Sequence, residues 1–278
     1  MNKLVLPQVH ASRSPQFILF EQEFENLNAF YWVHRAATAL MLKHAPNHDR
    51  INQFIPAPEA QHLDISSNEL IGLSNKVQLT ARYSMLVQVV TFYEVYIGDF
   101  LFDLMKARWP ATTQVSIKIR PSDLPDTNLE TYIQTATINA QIKSVVDESY
   151  QKREARIRKL LTENKYDEPL QSPQRSKLVT AACEIRNCIV HAGGKVDQRA
   201  VETLTDLIPT LQLGDQLMLE EPLMWQLLGA IRDSARALDY VVRKPVAEKF
   251  ERRAAKNKRY YAARKLRNLE LAKKHKKL

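Results

Sequence analysis

Glycine is scarce in this chain: Gly72, Gly98, Gly193, Gly194, Gly214 and Gly229 are the whole set in 278 residues. A loop that cradles phosphate needs clustered glycines so that backbone N–H groups can approach the anion. Neither G-x-G-x-x-G nor a P-loop can be assembled from these six positions. Dinucleotide-binding α/β enzymes and P-loop nucleotidases are therefore excluded. G-x-S-x-G, H-E-x-x-H and paired C-x-x-C motifs are absent as well. Cysteine is scarcer still. Cys183 and Cys188 fall five residues apart in one predicted helix, too few for a disulfide framework or a structural zinc site. They read as small, buried, apolar-like side chains. No metal and no cofactor are expected. Long apolar runs are missing too, so no membrane partner is expected. The first 14 residues lack the apolar stretch and small-residue cleavage site of a signal peptide. A reducing cytoplasm is the expected location.

What is present is enough apolar residue, 45% of the chain, to bury a real core. Charge is unevenly spread. From Arg243 onward there are 15 Lys and Arg against three acids, leaving 25 of the 40 basic and 28 of the 31 acidic residues to the rest. The body is near neutral and the tail strongly basic, an asymmetry that points to a polyanion, either nucleic acid or an acidic partner. Arg252, Arg253, Lys256, Lys258, Arg259, Arg264 and Lys265 are the candidate RNA-binding residues of the tail. Tyr260 and Tyr261 lie among them, where they could stack on bases. The same run also reads as a solvated tail, helical or disordered, that contributes only salt-sensitive phosphate attraction.

Hydrophobic periodicity is helical throughout. Phe20, Phe24, Leu27, Tyr31, His34, Thr38 and Met41 step by four and three and predict a helix over Pro15 to His44. His34 falls on this apolar stripe and reads as a satisfied core or interface histidine. Leu79, Tyr83, Leu86, Val90, Tyr93, Ile97, Phe100 and Leu104 hold the same rhythm over roughly Ser74 to Arg108. A third helix is expected from Asp126 to Asn164, capped by Asp126 or Thr127, with Lys152, Arg153, Arg156, Arg158 and Lys159 as a basic face. Ser172-Pro173 reads as an N-cap followed by proline at the first helical position, and Gly193-Gly194 as the stop. Shorter helices are expected near Asp197 to Ile208 and Pro222 to Val242. Gln114 to Arg120 alternates weakly, but Pro121 and Pro125 favour a loop. His44, His48, Asp49 and His62 do not make a metal site, because Pro46 breaks the local helix.

The helix ending at Gly193 carries the chemistry. Glu184, Asn187 and His191 share one face at i, i+3 and i+7. Arg186 projects about 140° away from His191 on an ideal helix. The helix is expected to unwind beside His191, letting its ring approach Arg186 or an Arg of a second subunit. No other Arg in the chain has a His at Arg-x4–6-His spacing.

Arg186-Asn187 with His191 and the following Gly-Gly resembles the Arg-x4–6-His motif of HEPN domains. The likeness extends over about Asn68 to Val242. The long helix with Arg82, Glu94 and Asp99 is similar to the helix that packs beside the motif in that family, and Glu94 resembles its acidic residue. The resemblance implies a HEPN-like helical bundle at 68–242; with the periodicity and charge, the expected chain is all-α, with an N-terminal helical extension at 1–67 and a basic tail at 243–278. It further implies a homodimer with a shared cleft and metal-independent cleavage of RNA. A role as a toxin or antiviral-defence effector would bring an antitoxin or regulatory protein as partner. A subset of the family has Tyr two residues after the His; Gly193 stands there in this chain, so regulation through that Tyr is not implied.

The chemistry suits the residue types. RNA is cut when its own 2′-hydroxyl attacks the adjacent phosphorus. A His can take that proton or give one to the leaving 5′-oxygen, and an Arg fork can hold the phosphate as charge builds. Two other readings stay open. Arg186 pairs with Glu94 or Glu184 and His191 merely caps the helix, giving a non-catalytic RNA- or protein-binding module. Alternatively, the tail carries a DNA-associated protein.

Overall fold

The computed structural model describes chiefly residues 13–47, 65–106, 128–163 and 172–243. The basic tail beyond 243 lies outside the described residues, as do Asp126 and Thr127 and most of the 114–120 segment. The described residues form α1 (Pro15–His44), α2 (Ser67–Lys106), α3 (Leu129–Val146), α4 (Tyr150–Glu163), α5 (Pro173–Ala192) and α6 (Gln198–Leu204), and α7 at 221–243. No strand is present among them. The fold is all-α.

α2 is the axis of the bundle. Leu86, Val90, Tyr93, Ile97, Phe100 and Leu104 of its predicted seam are buried, with Leu79 and Tyr83 packed at the margin. By length and composition α2 could cross a membrane, but half of its apolar window is buried inside the protein. Its apolarity is that of a core helix packed against helices on several sides. It starts earlier than the periodicity suggested. Glu69 accepts from the N–H and the hydroxyl of Ser66 at 2.7 and 2.8 Å, while the Glu69 N–H donates back to Ser66 Oγ. That reciprocal cap nucleates the helix before the seam begins.

α1 has the predicted bounds and runs antiparallel along α2. Ser14 accepts from the Phe17 N–H, with Pro15 at the first position. Phe17 and Phe20 pack edge-on against Tyr96 and Tyr93, and Arg35 donates to Gln78 at 2.8 Å near the other end. Phe17, Phe20, Phe24 and Tyr31 therefore enter the same core as α2 and α7. Glu21 holds Arg13, Arg232 and Arg236, and the Ser14 N–H donates to Asp239, which ties α1 to α7. His34 differs from its expectation. Its Nε2 is buried without a hydrogen-bond partner among the described residues.

The single helix expected over Asp126 to Asn164 is two helices. It breaks at 147–149 although no glycine or proline is present there. The Arg153 guanidinium donates to the Val146 carbonyl and so satisfies the last carbonyl of α3, while the Arg153 N–H bonds to the Ser149 carbonyl and starts α4. A buried polar knot then fixes α4 against α2 and α7, with Tyr93 Oη 2.9 Å from Ser234 Oγ and 3.4 Å from Tyr150 Oη.

The end of α5 is built as the Gly-Gly pair required. Gly193 takes the left-handed conformation (φ 62°), and the Gly193 and Gly194 amides turn back to the Cys188 carbonyl. Gly194, at φ 85°, sits against Tyr83 and Gln216, and a Cβ there would meet the Tyr83 hydroxyl at 3.1 Å and collide with the Gln216 amide. Tyr83 donates to the Leu217 carbonyl, and the Leu217 N–H donates to the Gly194 carbonyl at 2.9 Å. The two glycines thus have different duties. Gly194→Ala is expected to destabilise the protein by about 2–3 kcal/mol. Gly193→Ala, which meets open space, should cost about 1 kcal/mol. Urea denaturation of both variants checks the difference.

Candidate active site

A polar cleft of about 520 Å³ opens between α2, the α3–α4 turn, α4, α5 and α6. Its walls include Glu94, Arg153, Thr180, Glu184, Arg186, Asn187, His191 and Arg199. All four residues expected to carry chemistry, Arg186, Asn187, His191 and Glu94, line this one space. The seven tail residues lie outside the described residues.

Glu94 is the centre of the arrangement. Its Oε1 accepts from both terminal nitrogens of Arg153, at 3.4 and 3.5 Å, and its Oε2 accepts from Arg186 Nη2 at 3.5 Å. One carboxylate therefore serves two guanidinium groups from different helices. Arg153 is the more enclosed, its side chain only 7% exposed against 24% for Arg186. The buried Nε of each has no partner among the described residues. Arg186 Nη1 also donates to Asn187 Oδ1 at 3.1 Å, so Asn187 holds the arginine rather than the imidazole.

Glu184 takes no part in this cluster. It is nearly buried and pairs with Arg199 at 3.1 Å. Burial pushes its carboxyl up, against the pull of Arg199. Its carboxylate, the Cys188 sulfur and the Asp197 carboxylate approach one another within 4.8 Å, which is ligand-like spacing. However, Arg199 occupies Glu184 and the N-cap bond to Ala200 occupies Asp197 at 2.8 Å, so the charges are answered within the protein. Cys183 also borders the cleft; burial pushes its thiol up to about 12, so the thiol stays protonated and is a poor nucleophile at neutral pH.

Comparison of the chain with family models, with curated proteins and with solved structures returned no match. The site therefore stands on its own geometry.

His191 remains helical, since α5 continues through Ala192. The ring does not leave the helical path as the sequence suggested. It is exposed on the cleft wall, and no hydrogen bond joins it to Arg186 or to another described residue. Arginine and histidine thus face the same space from different angles, with Arg186 at the depth of Glu94 and His191 nearer the C-terminal end of the helix.

Arg153 is a cleft residue that the sequence alone does not single out. By sequence it reads as part of a basic face, yet it occupies the stripe Tyr150, Arg153, Ile157, Leu160, whose members are all buried. A charge on an apolar stripe is the local signal; the partner that explains it, Glu94, is 59 residues away. Arg153→Ala removes the buried guanidinium from both Glu94 and the Val146 carbonyl, and should cost about 2–4 kcal/mol. Arg186→Ala leaves Glu94 paired with Arg153 and should cost less than about 1 kcal/mol. Urea denaturation of the two variants measures the contrast, and equal losses would show that Glu94 depends on both arginines.

Proposed function

We propose that the chain is a metal-independent endoribonuclease of HEPN type that cleaves RNA by attack of its 2′-hydroxyl on the adjacent phosphorus. The observation that carries this reading is the convergence of Arg186, Asn187, His191 and Glu94 on one polar cleft. His191, exposed and without a hydrogen-bond partner among the described residues, is available to take or give the proton. Arg186 presents a charge that cannot be lost, oriented by Glu94 and Asn187. It neutralises a scissile phosphate as negative charge accumulates on its oxygens. Arg153 holds the far side of Glu94 and keeps that carboxylate from repelling the substrate. Products carry a 2′,3′-cyclic phosphate and a 5′-hydroxyl, and DNA, without the 2′-hydroxyl, is resistant. A toxin or antiviral-defence role, a homodimer, and a neutralising antitoxin or regulatory protein belong to this reading as what the resemblance implies, and a cytoplasmic location belongs to it from the cysteine usage.

The Arg186–Glu94 contact favours a second reading, in which the pair is structural and the protein is a helical RNA- or protein-binding module. One experiment separates the two. Purified protein is incubated in EDTA with end-labelled tRNA, rRNA and mRNA, beside folded His191→Ala and Arg186→Ala variants. Cleavage by the wild type with cyclic-phosphate ends, reduced about 100-fold or more in either variant, is the expected result. Equal cleavage by all three proteins removes Arg186 and His191 from the chemistry. Salt-sensitive RNA binding without cleavage favours the binding module.

A further inference from the structure

α1 carries two apolar stripes. The first, from Phe17 to Thr38, is buried against α2 and α7. The second runs along a face rotated by about 140° and consists of Phe30, Val33, Ala37 and Leu40, spaced 3-4-3. It is turned to solvent, with Phe30 65%, Val33 69% and Leu40 58% exposed. Because α1 and α2 run antiparallel, with Arg35 bonded to Gln78, Leu73 and Val77 of α2 lie level with the C-terminal half of α1, 43% and 38% exposed. Trp32, on another side of α1, is already stacked on Trp225 at 5.7 Å and does not belong to it. A contiguous apolar face of this kind, without a charge among its central residues, marks an interaction surface.

We propose that this face binds a second copy of the chain, α1 against α1 in antiparallel orientation. The stripe is self-complementary about a point near residue 35. Reading outward, Val33 meets the partner's Ala37, Phe30 meets the partner's Leu40, and Asn26 meets the partner's His44. Larger side chains oppose smaller ones in the middle. Asn26 and His44, both exposed, bound the seam with a polar pair at each end. Charge complements the seam along one flank. Glu25 and Lys43 both lie about 80° from Val33 on the same side of the helix, so an antiparallel partner brings each Glu25 within reach of the partner's Lys43. Lys43 is exposed, and Glu25, although it meets Arg232 at 2.6 Å, is still 51% exposed. A two-fold interface needs such self-matching, since each contact occurs twice. Knobs spaced 3-4-3 on a helical hairpin pack against an identical hairpin as an antiparallel four-helix arrangement. From Asn26 to His44 the stripe is about 27 Å long and the hairpin about 20 Å wide, so two copies bury on the order of 1,000 Å² in all, which reaches the size of a specific interface.

None of these residues lines the cleft. The association leaves each cleft complete within one copy, in contrast with the shared cleft that the HEPN resemblance implies. It rests on the apolar stripe and not on the ribonuclease reading, so either can fail alone.

Sedimentation of the full chain over a range of micromolar concentrations tests the proposal. The wild type should sediment at twice its 32.1 kDa mass. Val33→Glu should weaken association by about tenfold or more with an unchanged far-ultraviolet circular dichroism spectrum, because two carboxylates are then buried in the seam. Val33→Glu combined with Ala37→Lys should restore the dimer, since the antiparallel register sets each new carboxylate against the partner's new ammonium. A parallel register opposes like charges and gives no rescue. A wild type that is monomeric throughout, a dimer indifferent to Val33→Glu, or a double variant as weak as the single one overturns the proposal. A monomer that instead floats with lipid vesicles overturns it in favour of a membrane surface.

Discussion

The carboxylate of Glu94 is shared between Arg153 of α4 and Arg186 of α5, and the cleft depends on that sharing. A guanidinium as enclosed as that of Arg153 is costly to bury without a charged partner. Its contact with Glu94 fixes α4 against α2, and its bond to the Val146 carbonyl ends α3 in the same stroke. The other oxygen of Glu94 is then left to orient Arg186. Two cations and one anion meet at the floor, so the local balance is positive even though the body of the chain is near neutral. Because Glu94 sits on the core helix between the buried Tyr93 and Tyr96, this floor is held by the best-packed element of the fold.

That local balance separates two electrostatic tasks. Long-range attraction of a polyanion needs many charges at low cost in packing, and the composition puts those in the tail. Stabilising one phosphate during a reaction needs few charges at fixed positions in a place with little water. The paired cations elsewhere on the cleft wall do not supply this. Arg199 on that wall is committed to Glu184, and Arg156, outside the lining, is committed to Glu148. The surplus is at Arg153 and Arg186, and of these Arg186 is the more exposed. Under the proposed function, Arg186 is the residue placed to face the phosphate, on its exposure as much as on its place in a motif.

Much of the fold was legible because its signals are local. The bounds of α1, the Ser172-Pro173 start of α5 and its Gly193 stop are written in capping chemistry, and the α2 seam is written in spacing. The break between α3 and α4 was not legible. It lies in Asp147-Glu148-Ser149, without a helix breaker, and is made by a guanidinium whose other partner is on α2. The site was half legible for the same reason. Asn187, Glu184 and His191 could be placed on one helical face, but spacing could not say that Asn187 turns to Arg186 or that Glu184 turns to Arg199. The Gly-Gly pair illustrates how a helix stop can serve a second purpose. Gly193 supplies the left-handed cap, whereas Gly194 is held by close approach to Tyr83 and Gln216, a requirement of packing that the residue pair alone does not reveal.

The two stripes of α1 pose a geometric problem that a single copy of this bundle does not solve. α2 and α7 occupy one side of the helix, where Phe17, Phe20 and Tyr31 need them, and Trp225 covers Trp32 on another. A stripe about 140° from the first is then left beyond the reach of either neighbour. A face made for solvent could have carried polar side chains there, as the helix does at Asn26 and Gln22, one and two turns before Phe30 and both exposed. Instead the sequence places Phe, Val, Ala and Leu at seam spacing and returns to a polar residue on this face only at His44. The apolar stretch thus ends in Asn26 on one side and His44 on the other, each nine positions from residue 35. Its flank carries an acid at one end and a lysine at the other, and that arrangement reads the same from either direction when a second copy is laid against it.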